Sequence, residues 1–200
     1  MFKRITAVLA ASALATVGFV APSQAASEAD CGKGIRLCIG LVTDTGKVDD
    51  KSFNQSAWKG AQDGAKAVGG FAKYIETIDP KDYANNIGQF ASKNYDVIIG
   101  VGFLMAEAMT TAAKQYPKIK FIGVDQFQGA TIANLTGLVF PEDKAGFLAG
   151  YLAGHLTKTG KTGAVLGTDV VPPVRYFGEG YRNGVAYAAK ELGKKYPATR

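Results

Sequence analysis

"IRLCIGLVTDTGKVDDKSFNQSAWKGAQDGAKAV", residues 35–68, decides the fold. Its first eight residues form an apolar run of strand length. Its last sixteen repeat Phe53, Ala57, Ala61 and Ala65 at i+4, the spacing of one helix face. A change of period from strand to helix across a short polar loop is the start of a βαβ unit, so a parallel sheet is expected. Ser52 and Gln55 read as an S-x-x-Q capping box that opens the helix at Phe53 and leaves Phe53 and Asn54 in its first turn, facing any crevice above the sheet. Asp44, Asp49 and Asp50 read as turn-formers and helix-dipole partners. They lack the alternating spacing of a calcium loop.

Outward from this stretch the alternation continues. Strands are expected over 71–78, 95–102, 118–124 and 135–140, with helices over 83–93 and 103–115 between them. After Phe140 a helix opens at Pro141-Glu142, and a strand over 161–168 and a helix over 174–192 follow. In the helix after Pro141, Gly146, Gly150 and Gly154 run beside Ala145, Ala149 and Ala153, which reads as close packing of that helix on a sheet. The fold class is α/β with a doubly wound parallel sheet. Residues 26–34 are read as a linker, 35–140 as an amino-terminal lobe, and 141–200 as the incomplete start of a second lobe.

The chain of 200 residues is 47% hydrophobic and 20% charged, a globular balance. Residues 1–25 read as a secretory leader: Lys3 and Arg4, an apolar run from Ile5 to Val20, then Ser23-Gln24-Ala25 as the cleavage site. The protein is therefore expected outside the cytoplasm. Removing the leader lowers the formal charge from +6 to +4, and the lysines are scattered, so no nucleic-acid surface is read. Cys31 and Cys38 fit a disulfide closing a short loop in an oxidising compartment. Lipid attachment at Cys31 is the alternative, although Glu28-Ala29-Asp30 before it are not the small or aliphatic residues such a site requires.

In an open α/β sheet, ligands bind at the carboxyl ends of the strands. The residues at those ends are Asp44 after the first strand, Gly102 and Phe103 after the third, and Asp125 after the fourth, with Phe53 and Asn54 at the first helix. No cofactor is expected. Gly100 and Gly102 match two glycines of a dinucleotide fingerprint, but Met105 stands at the third position. Nor is a catalytic or metal set visible: His155 is alone, and no serine sits in a G-x-S-x-G elbow. An aromatic face, an amide and a carboxylate suit a flat polar ligand.

The motifs "GLVTDTGKVDDKSFNQSAWKG" (40–60), "IIGVGFLMAEA" (98–108), "FIGVDQ" (121–126), "VFPEDKAGFLAGYLAG" (139–154) and "VPPVRYFGEGYRNG" (171–184) resemble the basic membrane protein family of substrate-binding proteins. Members include purine-nucleoside receptors of bacterial ABC importers. The resemblance implies the type I periplasmic-binding-protein fold, with Phe53 stacking on a purine and Asn54 and Asp125 hydrogen-bonding its edge. It further implies ABC permease and ATPase partners, a monomer and no enzymatic activity, with the remaining ligand contacts supplied by a second lobe beyond Arg200. A receptor for a sugar or another metabolite, a secreted nucleoside-cleaving enzyme and a sensor are the competing readings.

Overall fold

The computed structural model describes residues 26–196; the expected leader lies outside the described residues. Five strands, β1 Cys38–Thr45, β2 Phe71–Thr77, β3 Val97–Val101, β4 Lys120–Val124 and β5 Leu135–Leu138, form one sheet in the order β2-β1-β3-β4-β5. All four pairings are parallel. Helices α1 Phe53–Ala67, α2 Tyr83–Ala91 and α3 Ala106–Gln115 connect the strands, and α4 Glu142–Leu156 and α5 Pro172–Glu191 follow. Because β2 lies on one side of β1 and β3 on the other, strand order reverses between β1 and β3. The connections there leave in opposite directions and open a crevice at the carboxyl ends.

Both sheet faces carry core. On one, Tyr83, Ile87 and Phe90 of α2 and Met109 of α3 pack over Val42, Ile98 and Phe121. On the other, the alanine stripe of α1 lets that helix sit close, burying Ala61 and Ala65 against Ile39, Leu41 and Val101. Phe53, at the end of the stripe, is 37% exposed.

Several sequence expectations are corrected. β1 starts at Cys38 rather than Ile35, because its pairing with β2 begins at Cys38 beside Phe71, which leaves Ile35 exposed. The cap of α1 is Asp50 rather than a Ser52/Gln55 box: the Ser52 side chain makes no cap bond. The Asp50 carboxylate instead accepts from the backbone N–H groups of Ser52 at 2.8 Å, Asn54 at 2.9 Å and Gln55 at 3.1 Å. A carboxylate brings two acceptor oxygens and a negative charge to the positive end of the helix, more than a hydroxyl supplies. Those bonds, that of Asn54 N–H foremost, hold its carboxyl below the usual carboxylate range. The helix expected from Phe103 begins with a 3-10 turn, Phe103–Met105.

Residues 161–168 are not a strand. An apolar run becomes one only where a neighbour takes its backbone hydrogen bonds, and among the described residues no strand lies beside this run: Val165 is fully exposed. The glycine row of α4 packs on α5 rather than on a sheet. A Cβ at Gly146 or Gly150 would overlap the backbone of Phe177 or Tyr181, and one at Gly180 or Gly184 of α5 would overlap Asp143 or Phe147. Each helix thus offers a groove of glycines to the other's backbone. Cys31 and Cys38 are joined as a disulfide.

Candidate functional site

Asp44 and Gly102 stand on either side of the point where strand order reverses. Gly102 has φ +92°, a conformation other residues rarely adopt, and a Cβ there would overlap the Asp44 carboxylate. Glycine is required on both counts. Asp44 is held by three donors on its Oδ1: the Tyr83 hydroxyl at 2.6 Å, the Thr45 N–H at 2.8 Å and the Thr45 hydroxyl at 3.4 Å. Burial, and then the neighbouring Asp44 carboxylate, push the Tyr83 hydroxyl up to about 12, so it stays protonated and donating.

Asp125 follows β4 with φ 59°, and the next residue, Gln126, turns inward and is fully buried. The Gln126 side-chain amide donates to Gly102 O at 2.9 Å and Gly100 O at 3.3 Å, tying the end of β4 to that of β3. The Asp125 carboxyl is raised above its ordinary value, first by burial and then by the charges of Glu142 and Asp44. Three carboxylates therefore share the neighbourhood of the crevice. Glu142 is buried at the start of α4 and accepts from Phe140 N–H at 3.2 Å.

Asn54 is turned into the loop. Its side-chain oxygen accepts from Asp44 N–H at 3.0 Å and its amide donates to Lys47 O at 3.4 Å, and it is 4% exposed. In this position it braces the loop that carries Asp44. Phe53 lines an apolar cavity of about 380 Å³ with Ala57, Ile99, Val124, Leu138 and Phe140. Phe103 is half-buried in its 3-10 turn.

Sequence reasoning missed Tyr83, Gln126 and Glu142. Tyr83 and Glu142 read only as helix starts, and Gln126 entered only as the last residue of the motif at 121–126, with no role assigned to it. His155 lies far along α4, its ring against Tyr151 and its Nε2 3.5 Å from Glu191. Among the described residues no group of three or more His, Cys, Asp or Glu could hold a metal ion, and no helix is long and apolar enough to cross a membrane.

A nucleoside-binding ABC transporter protein of Lactococcus lactis is 33% identical over 96% of this chain and 56% of its own. An uncharacterised lipoprotein of Pyrococcus furiosus is 32% identical over 96% of this chain and 48% of its own. The solved structure of an ABC transporter solute-binding protein from Aeropyrum pernix superposes with a TM-score of 0.69 at 27% identity, covering 82% of this chain and 46% of that one. The chain thus spans about half the length of these relatives. The shared fold is that of the type I periplasmic binding proteins. A family model described as Bmp, ABC transporter substrate-binding protein PnrA-like, matches residues 39–193, and the chain belongs to that family.

Proposed function

We propose that this protein captures a purine nucleoside outside the cytoplasm and delivers it to an ABC importer's permease and ATPase. In this reading residues 35–140 form one lobe and the chain from 141 begins a second. The observation that carries it is an exposed aromatic, Phe53, at the mouth of α1 on the sheet whose strand ends hold Asp44, Gly102 and Asp125. A nucleobase stacks on an aromatic face whatever its ring substituents, worth about 1–3 kcal/mol per base. Asp125 is half-buried, with the Glu142 and Asp44 carboxylates near it, and would gain from a donor. The ring N–H of a hypoxanthine- or guanine-like base would supply one as a charge-assisted hydrogen bond. The L. lactis relative is named as nucleoside-binding, which supports the same ligand class.

Isothermal titration of the protein in its full natural length with inosine, guanosine, adenosine and glucose tests the reading. Binding of nucleosides and not glucose, with no free base released on incubation, is the expected result. Glucose binding without nucleoside binding overturns the ligand class, and free base accumulating overturns a purely binding role.

A further inference from the structure

Residues 27–38 are fastened to the amino-terminal end of the sheet, opposite the crevice. The Glu28 carboxylate accepts from Lys73 Nζ at 2.9 Å, Lys93 Nζ at 2.9 Å and the Tyr95 hydroxyl at 3.0 Å. Those three groups belong to β2 and to the turn that leads into β3. Asp30 pairs with Arg36 at 3.5 Å, and its carboxylate accepts from Ser27 N–H at 3.2 Å. One residue later, Cys31 is buried and bonded to Cys38, the first residue of β1. Glu28 and the disulfide therefore grip the sheet from two sides of one short turn.

Relatives named as lipoproteins raise the question of whether Cys31 carries a lipid. Lipid attachment has definite chemistry. The cysteine thiol loses its proton and its sulfur bonds to a glyceryl carbon, and glycerol phosphate departs from the phospholipid. Water then splits the peptide bond preceding the cysteine, which becomes the first residue. At Cys31 that cut would remove Ser27–Asp30. Lys73 and Lys93 would lose their Glu28 partner, and Tyr95, whose ring is buried against Phe90, would lose the acceptor of its hydroxyl. The same Sγ cannot hold both the thioether and the bond to Cys38. Glu28 and Asp30 also put charge where the cleavage machinery takes small or aliphatic side chains.

We infer that Cys31 is a disulfide half-cystine and not a lipid attachment point, and that Ser27–Asp30 remains in the mature protein as a clasp on the sheet. Unlike a lipoprotein tethered through its first residue, the mature chain is not anchored through this cysteine.

The test is the intact mass and amino-terminal sequence of the mature protein, recovered from the envelope and soluble extracytoplasmic fractions of a bacterium expressing the full chain with its leader. The expected species begins at or before Ser27, carries no diacylglyceryl group, and gains two hydrogens on reduction. A species that begins at Cys31 with diacylglycerol overturns the inference, as does one that begins after Ser27 without lipid, or one whose thiols are both free before reduction. Cys31→Ser gives a second readout independent of folding: the leader is expected to be removed as in the wild type, whereas arrest of processing would identify Cys31 as the lipidation site.

Discussion

Two glycine-to-alanine substitutions, both inside helices, should change stability in opposite directions. At Gly64, on the exposed side of α1, a Cβ would meet nothing nearer than Ile39 Cδ1 at 3.9 Å, an ordinary contact. Gly64→Ala therefore collects the helix preference of alanine alone, about 0.5–1 kcal/mol. At Gly150 the same preference is present, but the new methyl would sit inside the Tyr181 backbone, which has no rotamer with which to move away. Relieving the overlap means moving α4 off α5 and loosening the contacts of Gly146, Gly154, Gly180 and Gly184 together. That places the cost at the upper end of the roughly 1–3 kcal/mol of overpacking, for a net loss of about 2 kcal/mol. In a chain of this size the Tm falls by roughly 4–8 °C for Gly150→Ala and rises by roughly 1–4 °C for Gly64→Ala. Thermal unfolding followed by circular dichroism measures both. Hydrogen exchange should locate the loss in α4 and α5. A Gly150→Ala protein as stable as Gly64→Ala would refute backbone-to-backbone packing of the two helices.

In the full-length protein, Phe53→Ala should weaken purine-nucleoside binding by about 1–3 kcal/mol, read by titration calorimetry, with the Tm little changed. Gly102→Ala combines a backbone strained at φ +92° with displacement of Asp44. It should lower stability by about 1–3 kcal/mol and weaken ligand binding in the same calorimetric series. The Lys93 and then Lys73 ammonium groups hold the Glu28 carboxyl at about 2, below its ordinary 4.5. A depressed carboxylate contributes stability above its unfolded pKa and loses it as pH falls, here between about 4.5 and about 2. Wild-type Tm should therefore drop more steeply across that window than the Tm of Glu28→Gln, and parallel profiles would remove the clasp's electrostatic role.

What was legible in the sequence followed from local pattern. The apolar runs around Leu41, Ile98 and Phe121 and the i+4 alanines of α1 carry their period within a few residues, so β1, β3, β4 and α1 could be read directly. The misreadings involve partners distant in the chain. The run at Val165 has the composition of a strand, but being one depends on a neighbouring strand that no window of sequence contains. The glycines of α4 announce close packing, whereas what they pack on depends on Gly180 and Gly184 in a segment that reads as an ordinary helix. The cap of α1 went to Asp50 because loop geometry brings its carboxylate, rather than the Ser52 hydroxyl, under the helix end. In the candidate site, strand ends could be located from the alternation. The overlap of Gly102 with Asp44 and the inward turn of Gln126 required the sheet order.

The backbone at Asp125 has a consequence for how a ligand would be met. A left-handed conformation costs a residue with a side chain roughly 1 kcal/mol, and it persists here because Gln126 is anchored to the carbonyls of Gly100, in the neighbouring strand, and Gly102, just past its end. The loss of backbone freedom is incurred when the chain folds, so in the proposed nucleoside-binding role the direction in which this side chain leaves the backbone is set before a solute arrives. In that role association meets no backbone-ordering penalty at this residue. Asp125→Gly would relieve the strain and remove the acceptor together, while Gln126→Ala would leave the acceptor chemically intact and set it loose.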